Sequence, residues 1–188
     1  IRSVFFKEAQ SHKKNNILEK LPINCFRLNF INKAFPEAKY IVIKRNPLEV
    51  AASIEEKIGK GNWYGVNDNK LRLLIEYAKS NNVETKDFLK TDFNKGLLEW
   101  RLSNIAISKF FNDSKKDFFS INYSNLTLNP KEILTEAFNF LEIKYNEEAL
   151  INCCKLVHKN LRNNENIKNN IQNNQKEFLI SEGFIQEK

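Results

Sequence analysis

The spacing of hydrophobic residues changes from strand-like to helix-like around residue 45. Residues 40–44, Tyr-Ile-Val-Ile-Lys, form a β-branched apolar run typical of a parallel strand buried on both faces. Asn46 and Pro47 follow, and they are favoured at the N-cap and at the first position of a helix. Apolar residues then recur at helical spacing at Val50, Ala51, Ile54 and Ile58. This stretch predicts a strand, a tight turn and a helix.

Other stretches extend the same alternation of strands and helices. Helical spacing or helix-start residues predict further helices beginning at Pro22, over 70–79, over 96–111, beginning at Pro130 and after Asn146. Alternating residues predict a second strand over 117–123, and Ile17 with Leu18 predicts a short strand before Pro22. Strands that alternate with helices predict an α/β fold with a parallel sheet and helices on its faces.

The turn after the first strand is a candidate anion site. A helix N-terminus presents unpaired backbone N–H groups and a partial positive charge. Arg45 stands at the carboxyl end of the strand, where its guanidinium can fork two N–H bonds onto a phosphate. Ser53 comes about two helical turns after Asn46, so its hydroxyl faces roughly the same side. A βα unit that binds no ligand can carry the same residues, so the geometry alone leaves both interpretations open.

Residues 45–53, Arg-Asn-Pro-Leu-Glu-Val-Ala-Ala-Ser, resemble the 3'-phosphate motif of sulfotransferases that use 3'-phosphoadenosine 5'-phosphosulfate (PAPS). Segments on both sides are similar to that family in order and spacing, over roughly residues 17–160. They are Lys20-Leu21-Pro22, Phe35-Pro36-Glu37-Ala38-Lys39, Tyr123-Ser124-Asn125-Leu126, Pro130, Phe140-Leu141 and Glu147-Glu148-Ala149-Leu150.

The resemblance implies a fold, a reaction and a set of site residues. The implied fold is a P-loop NTPase-like parallel sheet flanked by helices, here one domain over residues 1–188 with 160–188 as a peripheral C-terminal segment. The implied reaction is sulfuryl transfer from PAPS, without a metal, to a hydroxyl or amine of a small-molecule, glycan or peptide acceptor. By the resemblance, Arg45 and Ser53 hold the 3'-phosphate, Tyr123 contacts the adenine, and Lys20 faces the acceptor.

The chain also departs from the family pattern. The family grips the 5'-phosphosulfate with a Gly-containing loop near its N-terminus, whereas Gly59-Lys60-Gly61 follows the 3'-phosphate motif. The chain contains no Met and begins with Ile1, so we expect an N-terminal part to be missing. The basic C-terminal clamp of the family has only Lys159 and Arg162 as loose substitutes. A catalytically inactive sulfotransferase-like domain is therefore one alternative.

Charge and composition limit the other functions. A net charge of +7 and a pI near 9.2 favour an anionic ligand. No apolar run approaches a membrane span, and three cysteines without Cys-x-x-Cys spacing favour free thiols in a reducing compartment such as the cytoplasm. His12 and His158 stand apart from other ligand types, so no metal site is predicted.

Two further alternatives belong to other classes of protein. A nucleotide or nucleoside kinase shares the implied fold and would carry a Walker Gly-Lys-Ser/Thr upstream. A nucleic-acid-binding module would cluster its basic residues, which here are dispersed among acids, so no nucleic acid is expected. Residues 59–98 form the variable segment, where Trp63 and Tyr64 either line an acceptor pocket as exposed aromatics or pin the loop to the core.

Overall fold

A computed structural model describes residues 2–61, 63–157 and 173–186. The chain divides into two compact units. The first unit contains Ile1–Tyr40 and Ser103–Phe118, and the second contains Ile41–Leu102 and Phe119–Lys188.

Helices dominate the described residues. In chain order the elements are α1 Arg2–Ser11, a 3-10 helix Pro22–Arg27, α2 Leu28–Ala34, β1 Tyr40–Lys44, α3 Pro47–Gly59, a 3-10 helix Val66–Asp68, α4 Asn69–Ser80, α5 Asp92–Ser114, β2 Phe118–Asn122, α6 Tyr123–Leu128, α7 Pro130–Leu141, α8 Glu147–Leu156 and α9 Asn173–Ser181. The predicted strands at 40–44 and 117–123 and the predicted helices are confirmed to within four residues at their ends, except that the helix predicted to begin at Pro22 is a 3-10 helix up to Arg27 and becomes α-helical only at Leu28. The α/β character is therefore as predicted.

The short strand predicted at Ile17 and Leu18 is wrong. Both residues lie in an irregular, exposed segment between α1 and the first 3-10 helix, and Leu18 is 88% exposed. Two apolar residues between polar neighbours provide little buried surface to stabilise a strand.

The described strands form one small parallel sheet in which β1 pairs with β2. The wider P-loop NTPase-like sheet stays a prediction. Tyr40 and Val42 are buried, but Ile43 is 56% exposed, so the prediction that the strand is buried on both faces is wrong. Side chains alternate along a strand, and only the face that carries Tyr40 and Val42 is buried in the described residues.

The start of α3 is fixed by the two residues that predicted it. The Asn46 side-chain oxygen accepts the backbone N–H groups of Leu48 at 2.9 Å and Glu49 at 3.4 Å, and Pro47 is the first helical residue. Leu48, Ala51 and Ile54 are then buried at helical spacing. Asn146 caps α8 in the same way, whereas α7 begins at Pro130 without a side-chain cap from Asn129.

Helices α3 and α5 approach each other closely at Gly96. A Cβ atom at this position would lie 2.8 Å from the Ala51 Cα and 3.0 Å from its carbonyl oxygen. Gly96 and Ala51 are both buried. The absence of a side chain at residue 96 therefore sets the distance between the two helices.

Apolar residues near the C-terminus pack into the second unit. Leu179 on α9 is fully buried, and the rings of Phe178 and Phe184 lie 5.0 and 6.3 Å from the ring of Phe88. The Arg101 guanidinium also donates to the Glu182 carbonyl at 2.9 Å. The predicted peripheral segment is thus held to the body at its end, while His158, Lys159 and Arg162 lie outside the described residues.

The first unit is joined by aromatic contacts. The ring of Tyr40 lies 5.4 Å from Phe110 and 5.5 Å from Phe111, both on α5, and Phe5 on α1 packs edge-on against Phe35 at 5.5 Å.

Among the helices in the described ranges, none combines the length and the apolar character that crossing a membrane requires.

Candidate functional site

The candidate site lies in the second unit, where β1 and β2 end. Arg45 follows β1 directly and Tyr123 follows β2 directly. Because neighbouring parallel strands point the same way, their carboxyl ends meet at one edge of the sheet. The structure accordingly brings these two residues together, with the Arg45 Cζ 4.6 Å from the centroid of the Tyr123 ring.

Arg45 is held from three sides. Its Nε donates to the Glu49 carboxylate at 2.9 Å, and its guanidinium lies over the ring of Tyr123. Its backbone carbonyl accepts the indole N–H of Trp100 at 3.0 Å. The Arg45 side chain is 24% exposed, so part of it is accessible from outside. An arginine carries five N–H donors, and the bond to Glu49 leaves the four on the two terminal amino groups.

Glu49 is one of the few charged side chains buried among the described residues, with 2% exposure. A buried carboxylate is costly unless a cation and hydrogen bonds compensate it, and Arg45 supplies both. Sequence reasoning assigned no role to Glu49 or to Trp100. Glu49 stands four residues after Arg45, a spacing that could have indicated the ion pair between them. Trp100 lies off the apolar stripe of α5, which could have indicated that its indole contacts something other than the core face of that helix.

The first turn of α3 does not offer the free backbone N–H groups that the sequence led us to expect. Pro47 has none, the N–H groups of Leu48 and Glu49 are bound by the Asn46 side chain, and that of Val50 donates to the Asn46 carbonyl at 3.1 Å. This part of the prediction is wrong because a good N-cap satisfies the same donors that an anion would use. Charge at this turn therefore comes from the Arg45 side chain and from the helix dipole.

The other predicted residues occupy separate positions. Ser53 lies on α3 with a partly buried side chain, in the same unit as Arg45 and Tyr123. Lys20 lies in the first unit, exposed, in the irregular segment before the 3-10 helix Pro22–Arg27. Its neighbour Glu19 accepts a hydrogen bond from the side chain of Asn24 at 3.2 Å.

The loop after α3, which carries Trp63 and Tyr64, is anchored within the second unit by contacts of the Trp63 side chain. The indole N–H of Trp63 donates to the Glu99 carboxylate at 3.0 Å, and Lys70 donates to its other oxygen at 2.6 Å. Lys57 and Lys70 place their ammonium groups 4.3 and 4.0 Å from the centroid of the Trp63 ring. Glu99 itself is 6% exposed. These contacts favour the interpretation that Trp63 fixes the loop.

Tyr64 is only 4% exposed, which favours the alternative that it pins the loop to the core over the alternative that it lines a pocket. Burial raises the pKa of its phenol above the usual range, and the charges of Glu99, Asp92 and Asp68 raise that pKa further. Tyr64 is therefore neutral at physiological pH, and it packs in the core of the second unit.

We expect Glu99→Gln to lower the free energy of unfolding by about 1–2 kcal/mol, because the ammonium of Lys70 loses its charge partner in a largely buried position. Urea unfolding followed by circular dichroism measures the change. The matched control is Glu56→Gln, which removes an exposed ion pair to Lys60 and is expected to cost less than about 0.5 kcal/mol. Equal effects of the two variants would contradict the anchoring role of Glu99.

Across residues 2–61, 63–157 and 173–186, no group of three or more His, Cys, Asp or Glu side chains is placed to hold a metal ion. A family model described as "Sulfotransferase family" matches residues 1–147. None of the curated proteins and none of the solved structures compared matches the chain significantly.

Proposed function

This chain belongs to the sulfotransferase family, and we propose that it transfers a sulfuryl group from PAPS to a hydroxyl or amine of an acceptor. The observation that carries the proposal is the Arg45 guanidinium, fixed at the carboxyl end of β1 beside the N-terminus of α3. Its four terminal N–H groups fit a dianionic phosphate, which a guanidinium binds through two parallel hydrogen bonds. The phosphate they would hold is the 3'-phosphate of the nucleotide.

The donor supplies the chemistry and the protein supplies position and charge. In the transfer, the bond between sulfur and the bridging phosphate oxygen breaks, a bond from sulfur to the acceptor forms, and the acceptor loses a proton. Arg45 lies at the far end of the nucleotide from this event, so its contribution is to bind and orient the donor. The positive end of the α3 dipole adds to the attraction.

Ser53 and Tyr123 complete the proposed nucleotide site. The Ser53 hydroxyl, about two turns along α3, donates to the same phosphate, and the Tyr123 ring provides a flat surface for the adenine. By its resemblance to the Lys-x-Pro segment of the family, Lys20 is the proposed catalytic residue, and its side chain is exposed. The acceptor is a small molecule, a glycan or a peptide, and the wider fold is the P-loop NTPase-like sheet of the family.

The test compares nucleotides that differ only in one phosphate. We expect 3',5'-ADP to raise the melting temperature of the full chain more than 5'-AMP at equal concentration, because a ligand that binds the native state stabilises it in proportion to occupancy. The isomer 2',5'-ADP has the same number of phosphate groups with one at a neighbouring position, so it controls for attraction to the net charge of +7. Equal shifts with all three nucleotides would contradict the proposed site.

A further inference from the structure

We propose that Glu49 and Tyr123 are positioning residues that hold the Arg45 guanidinium so that only its two terminal amino groups face the 3'-phosphate. This inference rests on the proposed function. It adds that the two residues hold different parts of the guanidinium. Glu49 accepts the Nε–H, and Tyr123 packs its ring against one face of the group.

The first step concerns Glu49. Its carboxylate is 2% exposed and accepts the Arg45 Nε–H at 2.9 Å, while Asn46 binds its backbone N–H at 3.4 Å. A guanidinium can bind a phosphate either through Nε with one terminal nitrogen or through both terminal nitrogens. Because Glu49 occupies Nε, the second mode is the one open to a phosphate. A buried carboxylate also holds its cation in place, since separation would leave the charge unpaired.

The second step concerns Tyr123. Its ring centroid lies 4.6 Å from the Arg45 Cζ, a distance at which a planar guanidinium and an aromatic face attract each other. The backbone that carries the ring is itself fixed, because Tyr123 is the first residue of α6 and the preceding Asn122 caps that helix by accepting the Ser124 N–H at 2.9 Å. Tyr123 therefore acts on the 3'-phosphate through Arg45, in addition to any contact with the adenine.

The backbone of Arg45 is fixed as well. The Trp100 indole N–H donates to the Arg45 carbonyl at 3.0 Å. With the main chain, the Nε edge and one face all held, few rotamers remain for the guanidinium. Binding a phosphate then costs little side-chain entropy, which is the advantage of a preorganised site.

The test measures the 3'-phosphate preference, defined as the dissociation constant of 5'-AMP divided by that of 3',5'-ADP. Both nucleotides carry the adenine, so loss of an adenine contact alone weakens both and leaves this ratio unchanged. Isothermal titration of the full chain gives the two constants. We expect Tyr123→Leu to lower the ratio about fivefold, whereas Tyr123→Phe, which keeps the aromatic face, stays within about twofold of the wild type.

Glu49 is tested in the same assay. We expect Glu49→Ala to lower the ratio about tenfold and Glu49→Gln, which keeps an acceptor for Nε, to recover part of it. Glu99→Gln is the matched control, because it alters another buried carboxylate–cation pair of the same unit without touching Arg45. Its ratio should equal that of the wild type. Circular dichroism confirms that each variant titrated is folded.

The outcomes separate the inference from the proposed function. A wild-type ratio near one overturns the proposed function and this inference with it. A wild-type ratio well above one that persists in Tyr123→Leu and Glu49→Ala leaves the proposed function intact and overturns the positioning roles. A fall of the ratio in Glu99→Gln equal to that in Glu49→Ala also overturns them, because the effect would then reflect general loosening of the fold.

Discussion

Gly96→Val is expected to lower the free energy of unfolding by about 3 kcal/mol. A Cβ atom at this position meets the Cα and the carbonyl oxygen of Ala51 at 2.8 and 3.0 Å. Both atoms belong to the backbone of α3, so no rotamer change relieves the contact and the two helices must separate. Helix propensity acts in the opposite direction, since Val is favoured over Gly in a helix by only a few tenths of a kcal/mol, and the clash wins.

Gly59→Ala is the matched control. Gly59 ends α3, its backbone does not have a positive φ angle, and an added Cβ would meet nothing within 4 Å. Helix propensity then favours Ala, so we expect no loss of stability. Urea unfolding with circular dichroism compares the two variants. A Gly96→Val variant as stable as the Gly59 variant would show that α3 and α5 are not in close contact.

These two glycines illustrate the limit of what the sequence could predict. Gly59 begins a glycine-containing loop segment and Gly96 begins a segment with helical spacing, but nothing local indicates that Gly96 packs against a neighbouring helix. The strand at 40–44 and the start of α3 were predictable because their signals are local: a β-branched run, an N-cap and a proline. Which face of β1 is buried depends on distant parts of the chain, and the exposure of Ile43 was missed for that reason.

The residues of the candidate site likewise fall into those that local sequence signals could predict and those whose roles depend on tertiary packing. Arg45 could be proposed as a phosphate ligand because a cation at the end of a strand and the start of a helix is a short-range pattern, and the resemblance to the 3'-phosphate motif favoured this interpretation over a βα unit that binds no ligand. The role of Glu49 could not, because a charged residue on a helix is usually solvated and its burial here comes from tertiary packing. The sequence left open whether Tyr64 lines a pocket or packs into the core, because that choice depends on tertiary packing, which buries it. The approach of Tyr123 to Arg45 required the pairing of two strands far apart in sequence.

The variant Arg45→Ala combined with Glu49→Gln is expected to lose nearly all of the 3'-phosphate preference while remaining folded. Arg45→Ala alone leaves the Glu49 carboxylate buried without a cation, which we expect to cost about 3 kcal/mol of stability. Loss of binding in that single variant would therefore have two explanations. Neutralising Glu49 in the same chain removes the unpaired charge, so at least half of the lost stability should return in urea unfolding.

Binding then isolates the role of the guanidinium. Two charge-assisted hydrogen bonds to a phosphate contribute roughly 3 kcal/mol, so we expect the affinity of the double variant for 3',5'-ADP to fall about 100-fold, with that for 5'-AMP little changed. Arg45→Lys is the complementary variant, because it keeps a cation for Glu49 but cannot fork onto a phosphate, and it should lose about tenfold. A double variant that is folded and still prefers 3',5'-ADP would remove Arg45 from the site. Retention of the full preference in Arg45→Lys would show instead that charge, and not the fork, holds the phosphate.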